Sequence, residues 1–576
     1  MAEKRMLPIG EEFFSSIRRG NFYYVDKTAM LSDFFRRRGL VTLFTRPRRF
    51  GKSLNIDMFK CFLEIGTDPS LFDGLAVCED KEICDAHMGQ YPVIALSLKD
   101  VEGRTYEEAL NGLSARLQEE ARRYDYLFDS EHLNKYDQLS IQEYYNSPLD
   151  EESQRNFLRL FSEMLSKHFE KKTVILIDEY DVPLDKAWQH GYYEKMVVHI
   201  RAMFSRALKT NPFLEFAILT GCLRIVRESI FTGINNFFVN SISDTAFAKY
   251  FGFTDTEVRE LLNYYDIPEK YGILREWYDG YRFGTQQIYC PWDVICQTWE
   301  VCADPNAPMK PYWANSSSNY IVRDLLTNPS EATKADIERL ISGEAVTKTI
   351  LPELTYADFD TDDEETRENY VWSVLYSTGY LTDEKDRREY EARRQSVYTR
   401  ARRLVIPNRE VQDIYETQIK TLFRKKVRSH TGEWEQFCDA LISGDAKAME
   451  LRLNGFLSQS ISIRDTFVKK EYKENFYHGM LLGLLKGDGR FSVQSNAESG
   501  SGYLDIEVLD YANKTGCAIE VKYAEGGAFD AACSEAMQQI EDNDYTADLR
   551  QEDMETIHKY GIAFYKKSCR VQYEQD

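Results

Sequence analysis

The chain lacks any uninterrupted run of about 18 apolar residues, the length a helix needs to cross a bilayer, although 43% of its residues are hydrophobic and 13% aromatic. A membrane is therefore not expected among its partners. Its 11 cysteines include no C-x-x-C pair. Cys290, Cys296 and Cys302 have spacings typical of neither zinc ligands nor haem attachment, so reduced structural thiols are expected. Positive charge is short: 72 Lys and Arg stand against 94 Asp and Glu, a net charge of -22. That argues against wholesale non-specific nucleic-acid binding and confines any such contact to a local basic groove. Internal repeats and low-complexity tracts are missing too. The opening MAEKRMLPIGEEFF carries charge where an export signal needs an apolar core, so a cytoplasmic location is expected. What remains is globular material, 576 residues of it, enough for three or four domains at roughly 100 to 200 residues each.

A further absence falls inside a motif. TRPRRFGKS, Thr45 to Ser53, ends as a phosphate-binding loop ends, yet has Arg46 where G-x-x-x-x-G-K-[ST] has its first glycine. An arginine followed by Pro47 demands a different turn. The context nevertheless suits the motif. VTLFT before it is β-rich, and LNIDMFKCFLEIG after it has apolar residues at helical spacing. Strand, loop and helix in that order point loop amides and a helix N-terminus together at phosphates. Arg46, Pro47, Arg48, Arg49, Phe50 and Gly51 are then the loop around ATP, Lys52 reaches the β- and γ-phosphates, and Ser53 holds Mg2+. TVILIDEYD, Thr173 to Asp181, reads as a buried parallel strand delivering acids to its carboxyl end. Asp178 is expected to bind Mg2+, directly or through water, and Glu179 to polarise the attacking water. LEFAILTG ends in Thr220, suited to sensing γ-phosphate. Arg224, just beyond, fits an arginine finger and fits a surface salt bridge equally well. A finger acts in cis or in trans, so a homo-oligomer stays open.

Between Asp100 and Pro148 the sequence reads as a polar helical insertion beside the sheet. TDTEVRELLNYY opens with Thr254 and Glu257 at capping-box spacing, and the aromatics of WYDGYRFG read as packing. This region has the place of a helical lid over a nucleotide core. ENYVWSVLYSTGYLT, a helix running into a strand, precedes a charged segment and RRLVIPNREV, an order that resembles a winged helix. Its basic run, Arg387, Arg388, Arg393, Arg394, Arg400, Arg402 and Arg403, is interspersed with acids and favours a solvated face over a phosphate-binding one.

GYLDIEVLDYANKTGCAIEVKY, Gly502 to Tyr523, is a hairpin of two alternating β-runs around a polar turn. Glu520 and Lys522, two apart, point to one face, and Asp505 and Glu507 share a face likewise. Metal-dependent phosphodiester cleavage needs carboxylates around Mg2+ or Mn2+ and a group that positions or deprotonates water. A D…E-x-K hairpin supplies both. The preceding EYKENFYHGMLLGLL offers Glu471 or Glu474 as an additional acid, with His478 read as a packed residue rather than a ligand. Alone, E-x-K is common on exposed strands. The hairpin, its upstream helix and the glutamine-bearing helix AACSEAMQQIEDNDY after it raise the reading above that default.

FYYVDKTAM, LFTRPRRFGKS, VILIDEYD, ILTGCLRIVRESIFTGINN, FGFTDTEV, WYDGYRFG, PYWANSSSN and LYSTGYL together resemble the bacterial AAA-ATPase-like proteins that carry a C-terminal nuclease-like domain, over nearly the whole chain. The resemblance implies that the arginine-rich loop is a family trait, that Asp26 and Lys27 lie near the nucleotide, and that a boundary falls near Arg428. The hairpin resembles the PD-(D/E)xK nuclease superfamily. Asp505 and Glu520 match its metal acids, Lys522 its lysine, and Gln539 and Tyr545 its supporting Q…Y element; Leu504 replaces the usual proline. The expected fold is α/β multidomain: a P-loop NTPase parallel sheet at 1–240, a helical lid and winged-helix-like region at 241–428, and an α/β nuclease-like domain at 429–576. The expected function is ATP binding and hydrolysis coupled to a Mg2+- or Mn2+-dependent nuclease acting on DNA or RNA, in bacterial defence or mobile-element control. The alternative is a nucleotide-dependent switch whose nuclease-like domain grips nucleic acid or a protein without cutting. A small-molecule kinase lacks any recognisable acceptor site.

Overall fold

In the computed structural model, residues 4–146, 148–223, 237–313, 331–341, 343–351, 353–354, 363–384, 401–415, 431–460, 470–485, 490–499, 502–552 and 554–576 are described. Short apolar runs become five strands: β1 (Val41–Thr45), β2 (Val93–Ser97), β3 (Thr173–Asp178), β4 (Leu214–Gly221) and β5 (Phe237–Asn240). All neighbours pair in parallel, in the order β2-β3-β4-β1-β5. Every residue of β1 and β3 is buried, as expected of parallel strands covered on both faces. Because the strands are parallel, the loop after β1, Asp178 at the end of β3 and Thr220 near the end of β4 leave the sheet at one edge. The insertion expected between Asp100 and Pro148 is helical, and its Tyr106–Arg122 helix packs on β2.

Downstream, Thr254 caps the helix Asp255–Tyr264 with the expected box: its hydroxyl accepts from the Glu257 amide, and the Glu257 carboxylate accepts from the Thr254 amide at 2.7 Å. Helices Tyr271–Tyr278 and Pro291–Ala303 flank a two-stranded ribbon of β6 (Tyr281–Phe283) and β7 (Gln286–Ile288). A small sheet of β8 (Val346–Thr349), β9 (Thr382–Asp383) and β10 (Ala401–Val405) has the order β8-β10-β9. The helix Glu364–Thr378 runs into β9, which pairs antiparallel with β10. Of the basic run, Arg402 pairs with Asp383 at 2.8 Å and Arg403 with Glu384 at 2.6 Å. Arg387, Arg388, Arg393, Arg394 and Arg400 lie outside the described residues, as does Arg428.

The C-terminal sheet is mixed: β11 (Ser492–Ser499), β12 (Gly502–Asp510), β13 (Thr515–Tyr523), β14 (Thr556–Tyr565) and β15 (Ser568–Gln575), in sequential order. Only the β13–β14 pair is parallel, and the helix Phe529–Asp542 makes its crossover. Ile506, Val508, Ile519 and Val521 pack with residues of the helices Thr431–Ser443, Ala446–Ser460 and Lys470–Leu485. Leu509 and Ala518 point the other way, to Met537 and Ile540.

The chain divides into two compact units, Met1–Ser318 with Thr347–Val411 and Asn319–Val346 with Gln412–Asp576. Among the described residues no helix is long and apolar enough to cross a membrane.

Candidate functional site

Gly51, at φ 81°, makes the left-handed turn from which the helix Lys52–Leu63 starts. Arg49 is also left-handed, at φ 68°, so the loop turns differently from a glycine-rich one. The Arg46 amide donates to the Gly221 carbonyl at 3.0 Å, carrying the β1–β4 ladder one residue further. The Arg46 side chain is fully buried and donates to the carbonyls of Thr45 and Asn240, both at 2.8 Å. Its guanidinium lies 4.8 Å from the ring of Phe251 and 5.3 Å from that of Phe283. Among the described residues Nε and Nη2 find no acceptor, and burial pulls the pKa down to about 9. Where a glycine would give phosphate room, this side chain holds protein.

The other loop residues do likewise. A Cβ on Gly379 would stand 3.1 Å from that of Pro47, the Arg48 carbonyl accepts from the Trp313 indole at 3.2 Å, and Arg49 lies 4.4 Å over Trp292. Phe50 meets the rings of Tyr281 and Phe283 at 4.9 and 5.1 Å, and a Cβ on Gly252 would come 3.0 Å from it. The motifs FGF, WYDGYRFG, PYW and STGY thus converge on the loop.

Lys52 is buried, its Nζ 3.2 and 3.0 Å from the carbonyls of Arg46 and Pro47 and 3.5 Å from the Cys222 Sγ. Burial alone would lower its pKa, but Cys222, Glu179, Asp178 and Asp181 outweigh that and raise it, so the ammonium stays charged. Asp178 accepts the Thr220 hydroxyl, so the hydroxyl expected to sense γ-phosphate is held by a carboxylate. Burial, reinforced by Asp178 and Asp181 against Lys52, raises Glu179, whose backbone is left-handed at φ 52°. Asp181, which sequence reasoning left without a role, accepts from the amides of Cys222 and Leu223 at 2.8 and 2.9 Å and fixes the turn after β4. Its signal was the third acid of IDEYD. Ser53 is half-buried in the first helical turn. Arg224 lies outside the described residues.

Asp26 accepts from the amides of Thr28 and Ala76 at 2.8 and 2.7 Å. Lys27 is paired with both oxygens of Glu257, at 2.6 and 2.7 Å. Tyr23, Tyr24, Lys27, Gly51, Leu54 and Pro291 are among the residues that line a mainly apolar cavity beside the start of the helix Lys52–Leu63.

In the other unit the β12–β13 ladder runs from Asp510↔Thr515 to Ile506↔Ile519 and stops. Beyond that point two carboxylates take up amides of β13: Asp505 Oδ2 accepts from Val521 at 2.9 Å and Glu474 Oε1 from Tyr523 at 3.2 Å. Of the two acids expected on the helix Lys470–Leu485, Glu474 reaches β13; the side chain of Glu471 lies outside the described ones. Glu520 is 2% exposed; one oxygen accepts from Lys522 at 3.0 Å, and the other, Oε2, has no hydrogen-bond partner among the described residues. Burial first, then the nearby Asp505, pushes its pKa up to about 7. Burial opposes the charge on Lys522, while Glu520, Glu474 and Asp505 restore it and raise the pKa. Glu507 is buried among Asp548 and Glu552, which with burial raise it. The Gln539 amide is 3.5 Å from the Tyr545 hydroxyl.

Among the described residues no group of three His, Cys, Asp or Glu side chains forms a ready metal cage. The donor set nevertheless fits Mg2+, which is commonly held by one or two carboxylates plus water and substrate phosphate. A buried carboxylate oxygen with no partner is the kind of group such a cation satisfies.

Residues 8–231 match a family model described as predicted AAA-ATPase, and residues 472–574 match that of the PD-(D/E)XK nuclease superfamily. Over 597 aligned positions, 99% of this chain and 98% of the relative, it is 25% identical to a protein of Azotobacter chroococcum mcd 1 named "Uncharacterized protein in vnfD 5'region". No solved structure matches it. The chain carries an AAA-ATPase-like domain towards its N-terminus and a PD-(D/E)XK nuclease superfamily domain at its C-terminus.

Proposed function

We propose that this protein is an ATP-gated, metal-dependent nuclease that cuts DNA or RNA in the cytoplasm, in bacterial defence or in the control of mobile elements. The observation that carries the nuclease is Glu520, buried beside Asp505 with one oxygen on Lys522 and the other without a hydrogen-bond partner among the described residues. Asp505 and Glu520 would hold Mg2+ or Mn2+, with Glu474 alongside. The cation supplies Lewis-acid stabilisation of the phosphate and acidifies water. Lys522, kept charged by three carboxylates, orients the attacking water and offsets charge developing on the phosphate.

ATP with Mg2+ is the partner proposed for the other site. Lys52 is placed for the β- and γ-phosphates, Ser53 and Asp178 for the metal, and Glu179 for the water. The apolar cavity next to Gly51 suits a nucleobase. Arg224 is the proposed finger, in cis or in trans. Gating follows from the present partners of Lys52. Its ammonium donates to the carbonyls of Arg46 and Pro47, so phosphates that claim it loosen the loop on which Phe251, Phe283, Trp313 and Gly379 rest.

The test is cleavage of labelled single- and double-stranded DNA and RNA by the full-length protein, with Mg2+ or Mn2+ and with or without ATP. Lys522→Ala is expected to abolish cutting, and Lys52→Ala to abolish ATP binding and with it the response to ATP. Absence of cutting on every substrate, with ATP and metal bound, would favour the switch that grips without cutting. Phage challenge of strains with and without the gene tests the cellular role, and equal plaque counts across a broad panel would count against it.

A further inference from the structure

The β12 strand is broken at one residue on both sides. Its register with β11 passes from Ser495↔Ile506 to Ala497↔Leu504 and skips Asp505, and its register with β13 ends at Ile506↔Ile519. A peptide out of both ladders needs other partners. The Asp505 carbonyl finds one in His478, whose Nε2 lies 2.8 Å from it and 3.0 Å from the Ser495 hydroxyl. On the β13 side, the Asp505 carboxylate accepts from the Val521 amide at 2.9 Å. A carbonyl only accepts, so the ring proton sits on Nε2.

His478 is four residues after Glu474 on the helix Lys470–Leu485, so the two side chains share a face one turn apart. Glu474 holds the Tyr523 amide of β13, and His478 holds the Asp505 carbonyl of β12. One helical turn thereby spans the gap between the splayed strands.

We propose that His478 is a positioning residue of the metal site: by holding the Asp505 carbonyl it keeps residue 505 out of the β11 and β13 ladders and the Asp505 carboxylate beside Glu520. This rests on the nuclease reading for its metal and goes beyond it in assigning the residue that sets the geometry. His478 touches neither metal nor substrate. It acts through the Asp505 backbone, and its one requirement is an N–H at the place of Nε2.

That requirement separates two similar variants. The glutamine amide nitrogen reaches roughly where Nε2 stands, whereas the asparagine nitrogen falls one methylene short. Full-length wild type, His478→Gln, His478→Asn and His478→Ala are titrated with Mn2+, read by the loss of the free-ion EPR signal and by the Mn2+ concentration giving half-maximal cleavage. Circular dichroism and ATP affinity report the fold. The expected result is a Mn2+ affinity lowered about 10- to 100-fold in the Asn and Ala variants and close to wild type in the Gln variant, with ATP affinity the same in all. Should the alanine variant not fold, the contrast between glutamine and asparagine still decides. Equal Mn2+ affinity in all four proteins, or an equal loss in Gln and Asn, would overturn the proposal. Wild type that neither takes up Mn2+ nor cuts would instead overturn the nuclease reading, and this inference with it.

Discussion

In the proposed nuclease site a proton and a cation would compete for the Glu520 oxygens. The pKa of Glu520 is pushed up to about 7 because burial and Asp505 disfavour its charge, against an ordinary value of 4.5. A raised acid binds more protons folded than unfolded between those two values. The stability contributed by its neutral form is therefore complete below 4.5 and lost as pH rises through about 7. Two outcomes are expected. Without metal, the denaturant midpoint of wild type should fall relative to Glu520→Gln as pH rises from 5 to 8. With metal the sign reverses, since the cation must displace the proton: Mn2+ affinity should climb about tenfold per pH unit below pH 7 and flatten above it. Calorimetric titrations at four pH values check this, and a pH-independent affinity in wild type would show that Glu520 is not a ligand. His199 gives the opposite slope. It is fully buried beside Arg155, and burial above all lowers its pKa to about 4. Its neutral form is favoured on folding, so wild type should lose stability relative to His199→Phe as pH falls from 6.5 through about 4.

The ribbon of β6 and β7 depends on a glycine that precedes it. Gly280 has φ 110°, and a Cβ there would stand 1.8 Å from the Pro407 carbonyl oxygen. Gly280→Ala combines backbone strain of about 1–3 kcal/mol with a backbone clash that only movement of the ribbon relieves. Tyr281 and Phe283 of that ribbon press on Phe50, so ATP affinity should fall together with the melting temperature. Gly191→Ala is the control, at φ 78° with open space around it; it should cost strain alone and leave ATP affinity unchanged. Equal ATP affinity in the two variants would show that the ribbon does not support the loop. These contacts also show what was legible beforehand. VTLFT, TVILID and LEFAILTG are strands because short buried runs carry their own signal, and the acids of IDEYD and of the D…E-x-K hairpin follow from position on those strands. The place of Arg46 was not legible, because Phe251 and Phe283 lie far along the chain and burial of a cation between rings leaves no local pattern. Glu471 and Glu474 could not be told apart, since both fit a helix, and the contact of Glu474 with the Tyr523 amide depends on how that helix docks on β13. The break at Asp505 was hidden because alternation of polar and apolar residues continues straight through it.

For the whole molecule, a gate is a coupling free energy, and coupling is reciprocal. If ATP changes the affinity for a nucleic acid by some factor, that nucleic acid must change the affinity for ATP by the same factor. The net charge of -22 sharpens this expectation, because a strongly acidic chain gains little from general attraction to phosphates and depends on a local site being in its binding state. Lys522→Ala permits the measurement, since it is expected to remove cutting while leaving the proposed ATP loop, Thr45 to Ser53, untouched. ATP affinity is measured with and without saturating DNA or RNA, and nucleic-acid affinity with and without saturating ATP, in one buffer at fixed salt and Mg2+. Both ratios should agree and lie between about 5 and 150. Two ratios near one would mean that the AAA-ATPase-like and nuclease domains work independently and that ATP serves some other step. Ratios that differ from one in Lys522→Ala and return to one when Arg46→Ala is added to it would place the connection in the loop, where an arginine stands in place of a glycine.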